Sequence, residues 1–352
     1  MPPISRKRVP GDEHPEAAAV GFGRVGALTL LVATALDLLR VDARTGEVGG
    51  SSGLTGHHPT FVAADPHVEG RAWLTTRKGG VFRTDDEGRS WRPSGLDGER
   101  LMTVAVAPAA PNRIWAGSEP SRVWRSDDAG TSWEPTAALE DLPSSSGWAF
   151  PPRPETHHVR WIGCAPHDPD RLWVAIEAGA LVSTRNAGRT WNDRVSEGPH
   201  DTHELAVHPD APAILRVAAG DGYYESLDGG ETWERPRTGL EVGYLRSVAV
   251  DPGDPHTVIV SAASSPRTAY VAGRSDGRLY RRQGGSWERV TSGFPTLPST
   301  IAPLLIAGRS SGELWASDER GVHGSVDGGR TWAEVARFSR TPDHLRGLAL
   351  IA

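Results

Sequence analysis

The 352-residue chain has one cysteine, two methionines and no apolar run long enough to span a membrane as a helix. A lone cysteine, Cys164, excludes an internal disulfide and with it a scaffold stapled for the extracellular space. Its neighbours Ile162 and Ala165 predict a buried strand residue, and nothing electropositive stands nearby to favour a thiolate. An excess of positive charge is missing too. Thirty-eight Lys and Arg against 44 Asp and Glu leave a net charge of −6, and the basic residues are scattered rather than striped. That balance gives no electrostatic footprint for nucleic acid.

What is abundant is turn chemistry. Forty-one Gly and 28 Pro with 38% hydrophobic residues predict a turn-rich β protein. Residues 1–20 are polar, with Arg6-Lys7-Arg8 followed by Asp12, Glu13 and Glu16, and are expected to form a disordered arm. The apolar stretch Ala27–Ala35 ends Ala33-Thr34-Ala35, which imitates a signal-peptidase site. Three acidic residues ahead of it and its short length argue against export, so a soluble, cytoplasmic monomer is expected.

One eight-residue phrase, Ser/Thr-x-Asp-x-Gly-x-Ser/Thr-Trp, organises the rest. It occurs at Thr84–Trp91, Ser126–Trp133, Thr184–Trp191 with Asn186 in the Asp slot, Ser226–Trp233 and Ser325–Trp332, with a worn copy ending at Trp287. The tryptophans are 42, 58, 42, 54 and 45 residues apart, a period that signals propeller blades or a solenoid. Each unit opens on an apolar alternating strand. Phe61–Asp65, Met102–Ala107, Trp161–Ala165, Leu205–His208 and Ser247–Asp251 are the examples, each followed by Pro. A second strand, a third running into the box and a fourth leaving its Trp complete a four-stranded blade. Leu28–Ala35 and Leu38–Asp42 supply two strands of a unit lacking its first strand, and Leu345–Ala352 is a first strand with nothing after it. Joining the two ends predicts an all-β fold over residues 21–352. It is a single seven-bladed propeller of four-stranded antiparallel blades, closed by pairing the C-terminal strand with the N-terminal strands.

The boxes themselves read as folding devices. Their Gly is expected at positive φ, their Ser/Thr and Asp oxygens on nearby N–H groups, and their Trp against the sheet. On these residues the chain resembles the Asp-box (BNR) repeat proteins, which include sialidases, seven-bladed xyloglucanases, sortilin-type receptors and photosystem II assembly factors. The resemblance implies the fold. It spans glycosidases and non-enzymes alike, so it leaves enzymatic activity open.

A candidate site follows from the register of the first strands. Eight residues before the Pro stand His58, Arg100, His158, Asp201 and Tyr244, with Thr300 and His344 in the two units that lack the Pro. Six before it stand Thr60, Met102, Arg160, His203, Arg246, Ala302 and Arg346, and deeper levels turn apolar (Val104, Leu205, Val248). Glu119, Glu177, Asp221 and Glu319 would add carboxylates from the loops after the second strands. The insertion Pro135–Pro154 would lie over this face as a lid, and the loop Ser264–Gly277 would wall it.

Three chemistries suit such a ring. Arg100, Arg160, Arg246 and Arg346 would bind a small anionic molecule, clamping its carboxylate or phosphate, or else pair with acids such as Glu177 and Glu204. His58, His158, His203 and His344 would meet around a divalent transition metal, or else be ordinary loop histidines. Resemblance to sialidases implies a third, with Tyr244 as nucleophile, Glu204 as base and Asp201 as acid. Their Phe-Arg-Ile-Pro motif is absent; the nearest spelling is Phe82-Arg83-Thr84-Asp85. An assembly-factor-like platform for a protein partner needs none of these. The string Gly308-Arg309-Ser310-Ser311-Gly312 spells a nucleophile elbow, but it falls at a turn between strands, the wrong context.

Overall fold

The computed structural model describes residues 28–294 and 300–351. The arm expected at residues 1–20 lies outside them. Seven antiparallel sheets form the molecule. Blade 1 spans residues 59–93, blade 2 101–135, blade 3 159–192, blade 4 202–234, blade 5 244–289 and blade 6 304–337. Blade 7 joins Leu345–Ile351 to Thr29–Thr34, Leu38–Asp42 and Val48–Gly50. Its C-terminal strand pairs antiparallel with the N-terminal one from Thr29↔Ile351 to Thr34↔Leu345, which closes the ring. Five sheets have four strands. In blades 3 and 4 the outermost strand shrinks to single bridges, Ser183–Asn192 and Glu225–Glu234.

Each blade covers its neighbour, because a sheet buries its apolar faces only against another sheet. Leu31, Leu38, Leu74 and Phe82 fill the seam between blades 7 and 1; Trp73, Leu101, Val104 and Ile114 fill the next. Comparable clusters sit at the other five seams. First strands touch first strands all the way round, so they line the axis.

The boxes are one hydrogen-bond circuit written five times. In blade 4, Ser226 Oγ donates to Asp228 Oδ1 at 2.8 Å and accepts the Gly230 N–H; Asp228 in turn accepts the Thr232 N–H and hydroxyl. Thr84/Asp86, Ser126/Asp128, Thr184/Asn186 and Ser325/Asp327 repeat it. The expected positive φ is there at Gly230 (100°), and the residue before it is also left-handed, including Glu87, Ala129 and Ala187. Two consecutive left-handed residues let one hydroxyl reach the N–H four positions on.

One feature of the first strands was not legible beforehand. In blades 1 to 5 and in blade 7 the pairing between first and second strands slips by one residue near the strand start. The extra residues are Thr60, Met102, Arg160, His203, Arg246 and Arg346. They are the residues that stand six before the Pro. A bulge inserts one unpaired residue and re-aims the side chains after it. Val104, Leu205 and Val248 sit in the clusters between blades and also border the channel past the bulges. Phe61 and Trp161, each one residue past a bulge, meet edge to face at 5.2 Å from non-adjacent blades, across the channel.

Candidate functional site

Bulge residues and the residues preceding them gather at the end of the channel where the first strands begin. Arg160 Nε lies 3.8 Å from Glu177 Oε2, and His158 Nε2 lies 2.7 Å from the same oxygen. Burial opposes ionisation of Glu177, yet Arg160 and His158 outweigh it and hold the carboxyl below the usual range. Burial likewise opposes the charge on Arg160, and Glu177 more than compensates. His203 is buried, with Nδ1 2.6 Å from the Leu245 carbonyl oxygen; Nε2 lies 3.4 Å from the Tyr244 hydroxyl, 3.7 Å from Asp201 Oδ1 and 3.9 Å from Glu177 Oε1.

Arg246 is spent differently. Its guanidinium donates to the Ala302 carbonyl at 2.6 Å and the Leu345 carbonyl at 2.7 Å, tying blade 5 to blades 6 and 7. It also stacks 4.6 Å over Tyr270. Tyr270 ends a short helix, Pro266–Tyr270, in the blade 5 loop expected to wall the pocket. Burial pulls Arg346 down to about 10, helped by the like charges of Arg77, Arg160 and Arg246. Among the described residues no carboxylate lies within 4.0 Å of a nitrogen of Arg77, Arg246 or Arg346, whereas Arg100 and Arg153 share Glu119. The mouth therefore holds three guanidinium groups with no acidic partner in reach.

The insertion between blades 2 and 3 is packed down over this face. Trp148 is buried in the seam between those blades, and Phe150 stands edge-on to His158 at 4.9 Å.

The four histidines are not brought together as a set. Among the described residues, one group of three or more His, Cys, Asp or Glu side chains has ligand atoms within 4.8 Å of one another. It is Glu177, Asp201 and His203. His344 is exposed and His57 packs on Phe82 beside the strand that His58 enters. Of the trio Tyr244, Glu204 and Asp201, Tyr244 and Asp201 both face His203 Nε2, at 3.4 and 3.7 Å. Glu204 takes the Ser247 hydroxyl and burial pushes its carboxyl up to about 8, so it carries a proton at neutral pH. Burial, with Tyr270 adding to it, also pushes the Tyr244 phenol up. Asp221 bonds the Tyr224 hydroxyl.

Sequence reasoning missed Arg77, Arg153 and Tyr270. Arg77 was findable: it follows the second strand of blade 1 (Ala72–Thr76), as Glu119 and Glu177 follow theirs (Ile114–Ser118 and Leu172–Ile176). The same register selects Gly220 and Asp318, not Asp221 and Glu319. Arg153 and Tyr270 sit in insertions with no counterpart in other blades, so no repeat register points to them.

Past the Phe61–Trp161 contact the channel opens into a cavity of about 1000 Å³ lined by Ile162, Leu205, Val207, Ile306 and Leu348 among others. Cys164 faces this cavity and is half-buried, while the surrounding protein desolvates its thiol and pushes it up to about 12.

Fold and site together define an Asp-box β-propeller with one charged and one mainly apolar channel end. No protein-family model and no curated protein matches the chain. Solved structures do. A GH74 xyloglucanase from Xanthomonas campestris superposes with TM-score 0.67 at 17% identity, over 88% of this chain and 53% of its own. YCF48 bound to D1 peptide gives TM-score 0.57 at 18% identity, over 93% of this chain and 97% of its own. YCF48 from Cyanidioschyzon merolae gives 0.57 at 15%, over 83% and 94%. The chain spans about half the length of the xyloglucanase. These likenesses establish the BNR-type seven-bladed fold. Among the described residues no helix is long and apolar enough to cross a membrane.

Proposed function

We propose that the chain is a ligand-binding propeller whose axial mouth captures a small anionic molecule. The carrying observation is the trio Arg77, Arg246 and Arg346, which among the described residues has no carboxylate within ion-pair distance. Burying like charges together is costly unless something neutralises them. Arg346 carries that cost most plainly, being pulled down to about 10 by burial and its three neighbours. A carboxylate or phosphate would accept bidentate bonds from such forks.

The test is calorimetric titration of the full chain with phosphate and citrate at two salt concentrations. Binding should weaken with salt and fall by about tenfold or more in Arg346→Ala, the order of one charge-assisted contact. Affinity unchanged in that variant would retire the pocket.

A second reading makes the same mouth a docking point for a protein partner. The structure of YCF48 bound to D1 peptide, which this chain matches over nearly the whole length of both, favours it. An acidic or C-terminal carboxylate of a peptide would then be the anion. Titration with carboxylate-ended and amidated forms of one peptide separates the readings. A preference for the free acid that disappears in Arg346→Ala supports docking.

A further inference from the structure

The three side chains Glu177, Asp201 and His203 form an arrangement the anion reading does not use. Glu177 follows the second strand of blade 3, and Asp201 and His203 lead into the first strand of blade 4. Leu245's carbonyl oxygen can only accept, so His203 Nδ1 carries the hydrogen and Nε2 presents a lone pair. That lone pair faces two further acceptors, Asp201 Oδ1 at 3.7 Å and Glu177 Oε1 at 3.9 Å. The Tyr244 hydroxyl, 3.4 Å from Nε2, is a donor at this point, but one O–H cannot serve three acceptors, and a cation among them can. An ion held at about 2.0–2.2 Å from each donor sets donors about 3–4 Å apart, which His203 Nε2 meets with both carboxylates, and all three ligand atoms lie within 4.8 Å of one another.

Each donor is also held from behind. The Leu245 carbonyl fixes the imidazole, the Ala178 N–H binds Asp201 Oδ1 at 2.9 Å, and His158 occupies the other Glu177 oxygen, Oε2, at 2.7 Å. Such outer partners orient ligands before a metal arrives. Space is reserved as well. A Cβ at Gly220 would lie 2.0 Å from Asp201 Oδ2 and 3.2 Å from His203 Cε1. Gly220 is not among the positive-φ glycines, so room rather than backbone freedom is what a side chain there would take away.

We propose that Glu177, Asp201 and His203 bind one divalent first-row transition cation between blades 3 and 4, with the Tyr244 hydroxyl beside it. One imidazole and two carboxylates suit Zn²⁺, Co²⁺ or Mn²⁺ better than Mg²⁺ or Cu⁺. The site shares only His203 with the four-histidine arrangement. It needs none of Arg77, Arg246 or Arg346, so it stands apart from the anion pocket.

The experiment uses the full chain purified without a histidine tag. Zn²⁺ titration by calorimetry should show about one ion per chain, and Co²⁺ should give visible ligand-field absorption. His203→Ala, Asp201→Asn and Gly220→Ala should each weaken Zn²⁺ binding by about tenfold or more, the scale of losing or displacing a ligand. A His58→Ala/His344→Ala double variant should bind as wild type. Circular dichroism and melting without metal show that each variant folds, and Asp201→Asn, which keeps the Ala178 contact, serves if His203→Ala does not. Phosphate titration of the same variants reads the anion pocket separately. Absence of Zn²⁺ binding, or binding unchanged in Asp201→Asn and Gly220→Ala, overturns the proposal.

Discussion

The two ends of the axial channel are made by the same seven strands and differ in almost everything else. At the starting end stand Arg160, His203, Arg246 and Arg346 with Glu177 and Asp201. At the finishing end Ile162, Leu205, Val207 and Leu348 line a mainly apolar space with a protonated thiol in its wall and Asp65, Glu69 and Arg309 also bordering it. A strand alternates its faces with period two, so an unbroken strand would carry one character along the axis. The bulge breaks that rule. One extra residue at the starting end brings a long polar side chain to the axis there, and the next residues return to apolar packing. Function and cohesion are thus written on one strand without competing for the same side chains.

Within the charged end, Arg246 and Arg346 sharpen the contrast most. Arg246 holds two backbone carbonyls of other blades, and removing it leaves both buried and unpaired. Arg246→Ala should cost about 3 kcal/mol or more in urea unfolding, the scale for breaking a buried charged network. Arg346→Ala should leave stability unchanged or raise it by about 1 kcal/mol, since it removes a like charge from a crowd of them. Equal losses in the two variants would show that both arginines are structural.

Smaller effects test the boxes and the apolar end. Hydrogen bonds from Ser132 and Thr232 hold Asp128 and Asp228 at about 2, below their ordinary 3.8. A depressed carboxyl contributes stability that is fully present above its unfolded value and lost as pH falls through the folded one. The melting temperature should therefore drop between pH 4 and pH 2, less steeply in Asp128→Asn; a flat profile would remove the boxes from the stability account. At the apolar end the Cys164 thiol, pushed up to about 12, stays protonated at pH 7. Alkylation of native protein should be slower than that of urea-unfolded protein by about tenfold or more.

Much of this was legible in the residues. The tryptophan spacing marked six blades and the two chain ends the seventh, and Leu38–Asp42 was bounded correctly because turn residues flank it on both sides. Arg160, His203 and Arg246 fell on one level because a fixed distance from the Pro is a fixed height on the channel, and Arg346 takes the matching place in a unit without the Pro. What that level meant was not legible. A bulge arises from pairing between strands, which the residues of one strand do not display. Likewise, four histidines at loop mouths cannot be sorted by position alone. Only His203 has a carbonyl fixing its tautomer with two carboxylates opposite.

By itself the sequence determined the repeat, the turn chemistry of each box and the closure through Leu345–Ile351. All three depend on short-range hydrogen bonding and on apolar alternation, which neighbouring residues set. The tertiary structure alone decided which charges are neutralised. Arg100 and Arg153 found Glu119, Arg160 found Glu177, and Arg77, Arg246 and Arg346 found no acid, because partnership across blades depends on which side chains the closed ring brings within a few ångströms.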